Sequence, residues 1–123
     1  MIDHVGMNVK DYEVSRRFYE QALEPVGYRV LMAFDEWKAA GFGQEQKPVF
    51  WISQRDPLGT GTHVAFTCPD RATVHSVHEA ALQAGGTDNG GPGLREHYHS
   101  TYYSAFVLDP DGNNVEVVCH KPE

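Results

Sequence analysis

His4-Val5-Gly6-Met7-Asn8-Val9-Lys10-Asp11 and His63-Val64-Ala65-Phe66-Thr67-Cys68-Pro69-Asp70 superimpose without a gap when the sequence is slid by 59 positions. In the same frame Glu20, Ala22, Leu23 and Gly27 fall on Glu79, Ala81, Leu82 and Gly86, making seven identities in twenty-four positions. The identities keep one order: strand, cap, helix, closing glycine. The chain therefore reads as two copies of one unit, residues 1–59 and 60–123.

The unit's local structure follows from its periodicities. Residues 2–9 alternate, with Val5, Met7 and Val9 on one face and His4, Gly6 and Asn8 on the other, as in a strand with one buried side. Asp11 offers a carboxylate to cap a helix, and Glu13 adds negative charge to its first turn. Val14, Phe18, Ala22 and Val26 form the apolar stripe of that helix, which Pro25 and Gly27 close. The second copy repeats this with Val64, Phe66 and Cys68 inward, Asp70 as cap, Val74, Val77 and Ala81 as stripe, and Gly85-Gly86 as stop. Strand-like runs follow at 28–34, 37–42 and 49–53, then at 102–108 and 115–119, while 87–95 is glycine-rich and poorly patterned. Asp109-Pro110-Asp111-Gly112-Asn113 is turn chemistry, so the last two runs form a hairpin. The expected fold is α+β: two βαβββ modules whose curved mixed sheets form a cup, with helices on the outer face.

Composition limits the partners. A 41% hydrophobic and 22% charged chain has the balance of an ordinary globular domain. No apolar run approaches the roughly 20 residues of a membrane span, and the acidic, alternating N-terminus is unlike a signal peptide. The expected location is the cytoplasm, with no membrane partner. The net charge of −7 and the scattered Lys and Arg argue against nucleic acid. Cys68 and Cys119 lack CxxC spacing and read as buried free thiols.

The residues opposite the core stripes carry the chemistry. His4 and His63 occupy equivalent strand positions facing away from the helix-covered side, and Glu116 in Asn114-Val115-Glu116-Val117-Val118 has the same parity. In a curled sheet all three point into the cup. Two imidazoles and a carboxylate are a common set of donors for a divalent ion such as Zn, Ni, Mn or Fe, leaving positions open for substrate.

Asp3-His4-Val5-Gly6, Phe18-Tyr19, Thr62-His63-Val64-Ala65-Phe66 and the closing Leu108-Asp109-Pro110-Asp111-Gly112-Asn113-Asn114-Val115-Glu116 resemble the glyoxalase, bleomycin-resistance and extradiol dioxygenase superfamily, the vicinal oxygen chelate proteins. The resemblance covers nearly the whole chain. It implies paired modules around a divalent ion, often within a homodimer, with His4, His63 and Glu116 as metal ligands. Glyoxalase I enzymes of that superfamily carry a further carboxylate on the last strand of the first module, where this chain has Trp51. Indole neither ligates an ion nor shuttles a proton. The remaining set resembles the facial triad of the dioxygenases, or the site of the fosfomycin-resistance thiol transferases without their potassium-binding loop.

Around that set, Arg95-Glu96-His97-Tyr98-His99-Ser100-Thr101-Tyr102-Tyr103 is dense in polar and aromatic groups. Counting in twos from Phe106 puts Ser104 and Tyr102 on one face, with Tyr102 overlooking the ion as a hydrogen-bond donor. His97 and His99 are candidate general bases from the preceding loop, and Trp51 and Ser104 candidate substrate contacts. Trp51, Tyr102 and Phe42 are the aromatics expected to line the cup. His75, His78 and His120 read as structural or solvated. The expected function is a metal-dependent lyase or isomerase acting on a small molecule that chelates through adjacent oxygens. The alternatives are an Fe(II) ring-cleaving dioxygenase and a metal-free drug-binding protein.

Overall fold

The computed structural model describes residues 2–59 and 61–122. The expected junction between the modules falls partly on residue 60, and their outer limits on residues 1 and 123, all outside the described residues. The first module runs β1 (Val5–Val9), α1 (Tyr12–Ala22), β2 (Arg29–Phe34), β3 (Ala39–Gly43) and β4 (Phe50–Gln54). The second repeats it as β5 (His63–Thr67), α2 (Arg71–Gln83), β6 (Thr87–Leu94), β7 (Tyr103–Leu108) and β8 (Asn114–Cys119).

Both sheets have the same topology, β1-β4-β3-β2 and β5-β8-β7-β6, each with one parallel pair and otherwise antiparallel pairs. The repeat read in the sequence is thus a structural repeat. Both helices start at their expected caps. Asp11 accepts from the Val14 N–H at 3.2 Å and Asp70 from the Thr73 N–H at 2.8 Å, satisfying donors a helix start otherwise leaves free.

The core-facing parity holds on β1, β5 and β8. Met7 and Val9 of β1, Phe66 of β5, and Val115, Val117 and Cys119 of β8 join Phe18, Tyr19, Val74, Val77 and Ala81 in one buried cluster. Phe50 and Phe66 meet edge to face at 5.2 Å, tying the two sheets together beneath the helices. Edge strands β1 and β5 flank one open cleft, lined by Val5, Gly6 and Met7 on one side and His63, Val64 and Ala65 on the other.

Two expectations are corrected, and one poorly patterned stretch proves to be the strand that the second module requires. The buried face of α1 is Tyr12, Ser15, Phe18, Tyr19 and Ala22, while Val14 is 42% exposed. Two tyrosines seven positions apart, one with its hydroxyl bonded to a buried carboxylate, set the helix rotation in place of the lone valine. Residues 87–94 form a strand despite their composition, with register shifts at Asp88/Gly90 and Gly90/Gly93 that disguise its period. Phe42 is wholly buried among Tyr19 and Phe50, so it belongs to the core and not to the cup lining.

Candidate metal centre

The parallel pairing of β5 with β8 places Ala65 beside Glu116 and His63 beside Asn114, so His63 sits one pleat from Glu116 on the same face. The carboxylate is 3% exposed and the His63 Nε2 stands 3.0 Å from its Oε1. Across the hairpin, Phe106 pairs with Glu116 and its ring lies stacked with the His63 imidazole at 6.4 Å. Tyr102, just before β7, donates its hydroxyl to the Glu116 Oε2. Burial first, and then that hydrogen bond to Glu116, push the Tyr102 hydroxyl up to about 12, so near neutrality it holds its proton and acts as a donor.

The imidazole of His63 is oriented by its other nitrogen. Nδ1 lies 3.2 Å from the Asn114 carbonyl, which can only accept, so Nδ1 carries the hydrogen. In neutral His63 the Nε2 lone pair then faces a carboxylate oxygen. Two acceptors at 3.0 Å need a proton or a metal cation between them. Donors each about 2.0–2.2 Å from one ion, at tetrahedral or octahedral angles, stand roughly 2.8–3.6 Å apart. The observed separation fits two ligands of a single ion.

His4 is oriented by the same device but stands elsewhere. Its Nδ1 contacts the Asp3 carboxylate at 2.7 Å, leaving Nε2 free, and Asp3 is itself paired with Lys47. It lines a cleft together with Val64, Ala65 and Phe66 of the opposite module. The structure thus brings His63, Glu116 and Tyr102 together and does not bring His4 to them. Among the described residues there is no group of three or more His, Cys, Asp or Glu side chains gathered as a metal site.

Trp51 occupies the pseudo-equivalent of Glu116: it pairs with Gly6 as Glu116 pairs with Ala65. Its indole lies across Gly41, where a Cβ would come within 2.8 Å of the ring, and stacks on Phe34 at 6.3 Å and 10°. Phe34 in turn contacts Trp37, giving the first module an aromatic wall where the second has its polar pair.

The other candidate residues are dispersed. His99 accepts from the N–H of Thr101 at 3.3 Å and lies 3.1 Å from that residue's hydroxyl; His97 lies against Tyr98. Among the described residues neither bonds to nor stacks on His63 or Glu116. Ser104 faces the same side as Glu116, but it is wholly covered and its hydroxyl has no partner among the described residues. His75 bonds the Tyr103 hydroxyl at 2.6 Å, His78 lies 3.0 Å from Asp88, and His120 packs on Tyr102. Two wall-forming groups are ones that the sequence does not single out, Phe106 of β7 and Arg95. The glycine run before Arg95 was the available signal.

Comparison with known proteins agrees with this architecture. The sequence model of the Glyoxalase/Bleomycin resistance protein/Dioxygenase superfamily matches residues 1–117. A virulence protein of Salmonella typhimurium strain LT2 is 28% identical over 122 residues, covering 94% of this chain and 81% of that protein. The crystal structure of a glyoxalase/bleomycin resistance protein from Albidiferax ferrireducens T118 superimposes with a TM-score of 0.82 at 27% identity, over 94% of this chain and 96% of the other. A glyoxalase I mutant from Zea mays superimposes with a TM-score of 0.70 at 27% identity, over 95% of this chain and 46% of that larger one.

Proposed function

This chain belongs to the Glyoxalase/Bleomycin resistance protein/Dioxygenase superfamily, and from that premise we propose that it is a divalent-metal-dependent enzyme, of lyase or isomerase type, acting on a small molecule with two adjacent oxygens. The observation that carries this reading is the 3.0 Å approach of the His63 Nε2 to the buried Glu116 carboxylate, with Nδ1 turned to the Asn114 carbonyl. His63 and Glu116 would hold the ion; His4, which this chain does not bring to them, would come as third donor from a second copy of the chain. A bound divalent ion supplies Lewis acidity, lowering the cost of negative charge on a coordinated oxygen.

The chain's own residues do the rest. Tyr102 fixes the Glu116 rotamer by donating its single hydroxyl hydrogen to Oε2, a proton it keeps near neutrality. Phe106 and Trp51 give the cup apolar walls, which orient a small substrate and exclude water. With Trp51 in the place of a second carboxylate, the first module supplies no proton-transfer group at that position.

Metal content by mass spectrometry, on protein purified without a metal-affinity tag, tests the reading. About one divalent ion per chain, lost in His63→Ala and Glu116→Ala variants that remain folded, is the expected result. A chain that contains none and takes up none on reconstitution overturns it. The indole at position 51 also leaves a two-histidine, one-carboxylate donor set, which favours a second reading as an Fe(II) ring-cleaving dioxygenase. Iron in the purified protein and oxygen uptake with catechols would select it.

A further inference from the structure

The segment Gly90-Gly91-Pro92-Gly93-Leu94-Arg95 is where β6 loses its register, and its glycines share a consequence. A Cβ on Gly93 would lie 2.9 Å from the Arg95 Nη1, and one on Gly90 3.3 Å from its Nη2 and 3.2 Å from the Phe106 ring. The strand is therefore stripped of side chains where the guanidinium lies. That group sits 5.5 Å from the Phe106 ring centroid, the same ring on which His63 stacks, and Phe106 is the cross-strand partner of Glu116. The Arg95 backbone N–H bonds the Tyr102 carbonyl at 2.7 Å, tying the base of this side chain to the residue that donates to Glu116.

The guanidinium is half-buried yet poorly used. Among the described residues one of its five N–H donors is hydrogen-bonded, from Nη2 to the Gly91 carbonyl at 2.8 Å. No carboxylate pairs with it among the described residues, in a chain carrying 17 acidic residues. By contrast Arg16 has Glu20, Asp35 and the Tyr12 hydroxyl. An arginine set over an aromatic ring, in a slot of glycines beside a candidate reaction centre, is arranged to receive an anion.

We propose that Arg95 anchors a carboxylate of the substrate, which places the substrate class among small oxygenated carboxylic acids; the assignment rests on the reading that the His63–Glu116 site is where a small molecule reacts. A planar fork suits a planar carboxylate in two-point contact. Malonate and phosphate carry similar charge near neutrality, so the comparison separates the planar shape of a carboxylate from charge alone at this lone guanidinium.

The test uses full-length metal-free protein, titrated with malonate and with inorganic phosphate and followed by NMR of the arginine and tyrosine signals. Malonate is expected to saturate and to bind more tightly than phosphate. Arg95→Gln should weaken malonate binding about 10- to 100-fold, and Arg95→Lys, which keeps charge but loses the fork, by less. Gly93→Ala displaces only the flexible end of Arg95 and should weaken binding without unfolding the chain, whereas Gly91→Ala, which meets nothing, should leave it unchanged. Equal binding by wild type and Arg95→Gln overturns the proposal, and phosphate binding as tight as malonate overturns the carboxylate assignment. Ion uptake is measured in parallel. Malonate bound by a chain that takes up no metal sinks the metal reading alone; metal taken up without malonate binding sinks this one alone.

Discussion

Tyr19 donates a hydrogen bond of 2.6 Å to Asp109, joining the helix of the first module to the hairpin turn of the second across ninety positions of sequence. The carboxylate is buried and also accepts from the Asp111 and Asn113 backbone N–H groups and from the Asn113 side-chain amide. The turn that presents β8, and hence Glu116, is thus pinned to α1.

Tyr19→Phe keeps the ring packing and removes only that donor. Because the acceptor is a buried carboxylate, the expected loss is about 1.5–3 kcal/mol. Urea denaturation should show a lower midpoint with an unchanged slope.

Alkaline stability should report the same bond. Burial first, and then the Asp109 charge, raise the Tyr19 hydroxyl well above its ordinary value of 10.0. A raised native value means the contribution is complete below pH 10 and is lost as pH climbs from there through the native value. Wild-type stability measured between pH 9 and 12 should therefore fall more steeply than that of Tyr19→Phe.

The rotation of α1 can be checked with two substitutions. Val14→Lys on the exposed side should change stability by no more than about 0.5 kcal/mol. Phe18→Ala, in the core, should cost about 3–5 kcal/mol. The reverse order of effects would restore the stripe through Val14.

Tyr102→Phe removes the hydroxyl that orients Glu116. In the metal reading, ion affinity should drop by about 10- to 100-fold, as when an outer partner of a ligand is lost. Competition with a chelator of known affinity measures it, and unchanged affinity would leave Tyr102 no part in holding the ligand.

Cys68 should be inert in the native chain. Burial first, with the neighbouring Cys119 adding to it, pushes its thiol up to about 12, and both sulfurs are shielded from solvent. A disulfide reagent at pH 8 should find no reactive thiol until urea is added, when two appear.

Local rules were enough for much of this molecule. The 59-position repeat, the Asp11 and Asp70 caps, the Val74/Val77/Ala81 stripe and the Asp109–Asn113 turn all rest on short-range chemistry that neighbouring residues already express. The facing of His63 and Glu116 follows from strand parity, a two-residue rule. Where the structure departed, longer-range forces decided. Only the packed fold could choose the face of α1, because a carboxylate ninety residues away selects Tyr19 over Val14. Only the bulged pairing of β6 with β7 could make a strand of residues 87–94 and lay Arg95 on Phe106. And although parity turns His4 and His63 to one side, the distance between modules depends on how edge strands β1 and β5 pack, which no periodicity within either strand encodes.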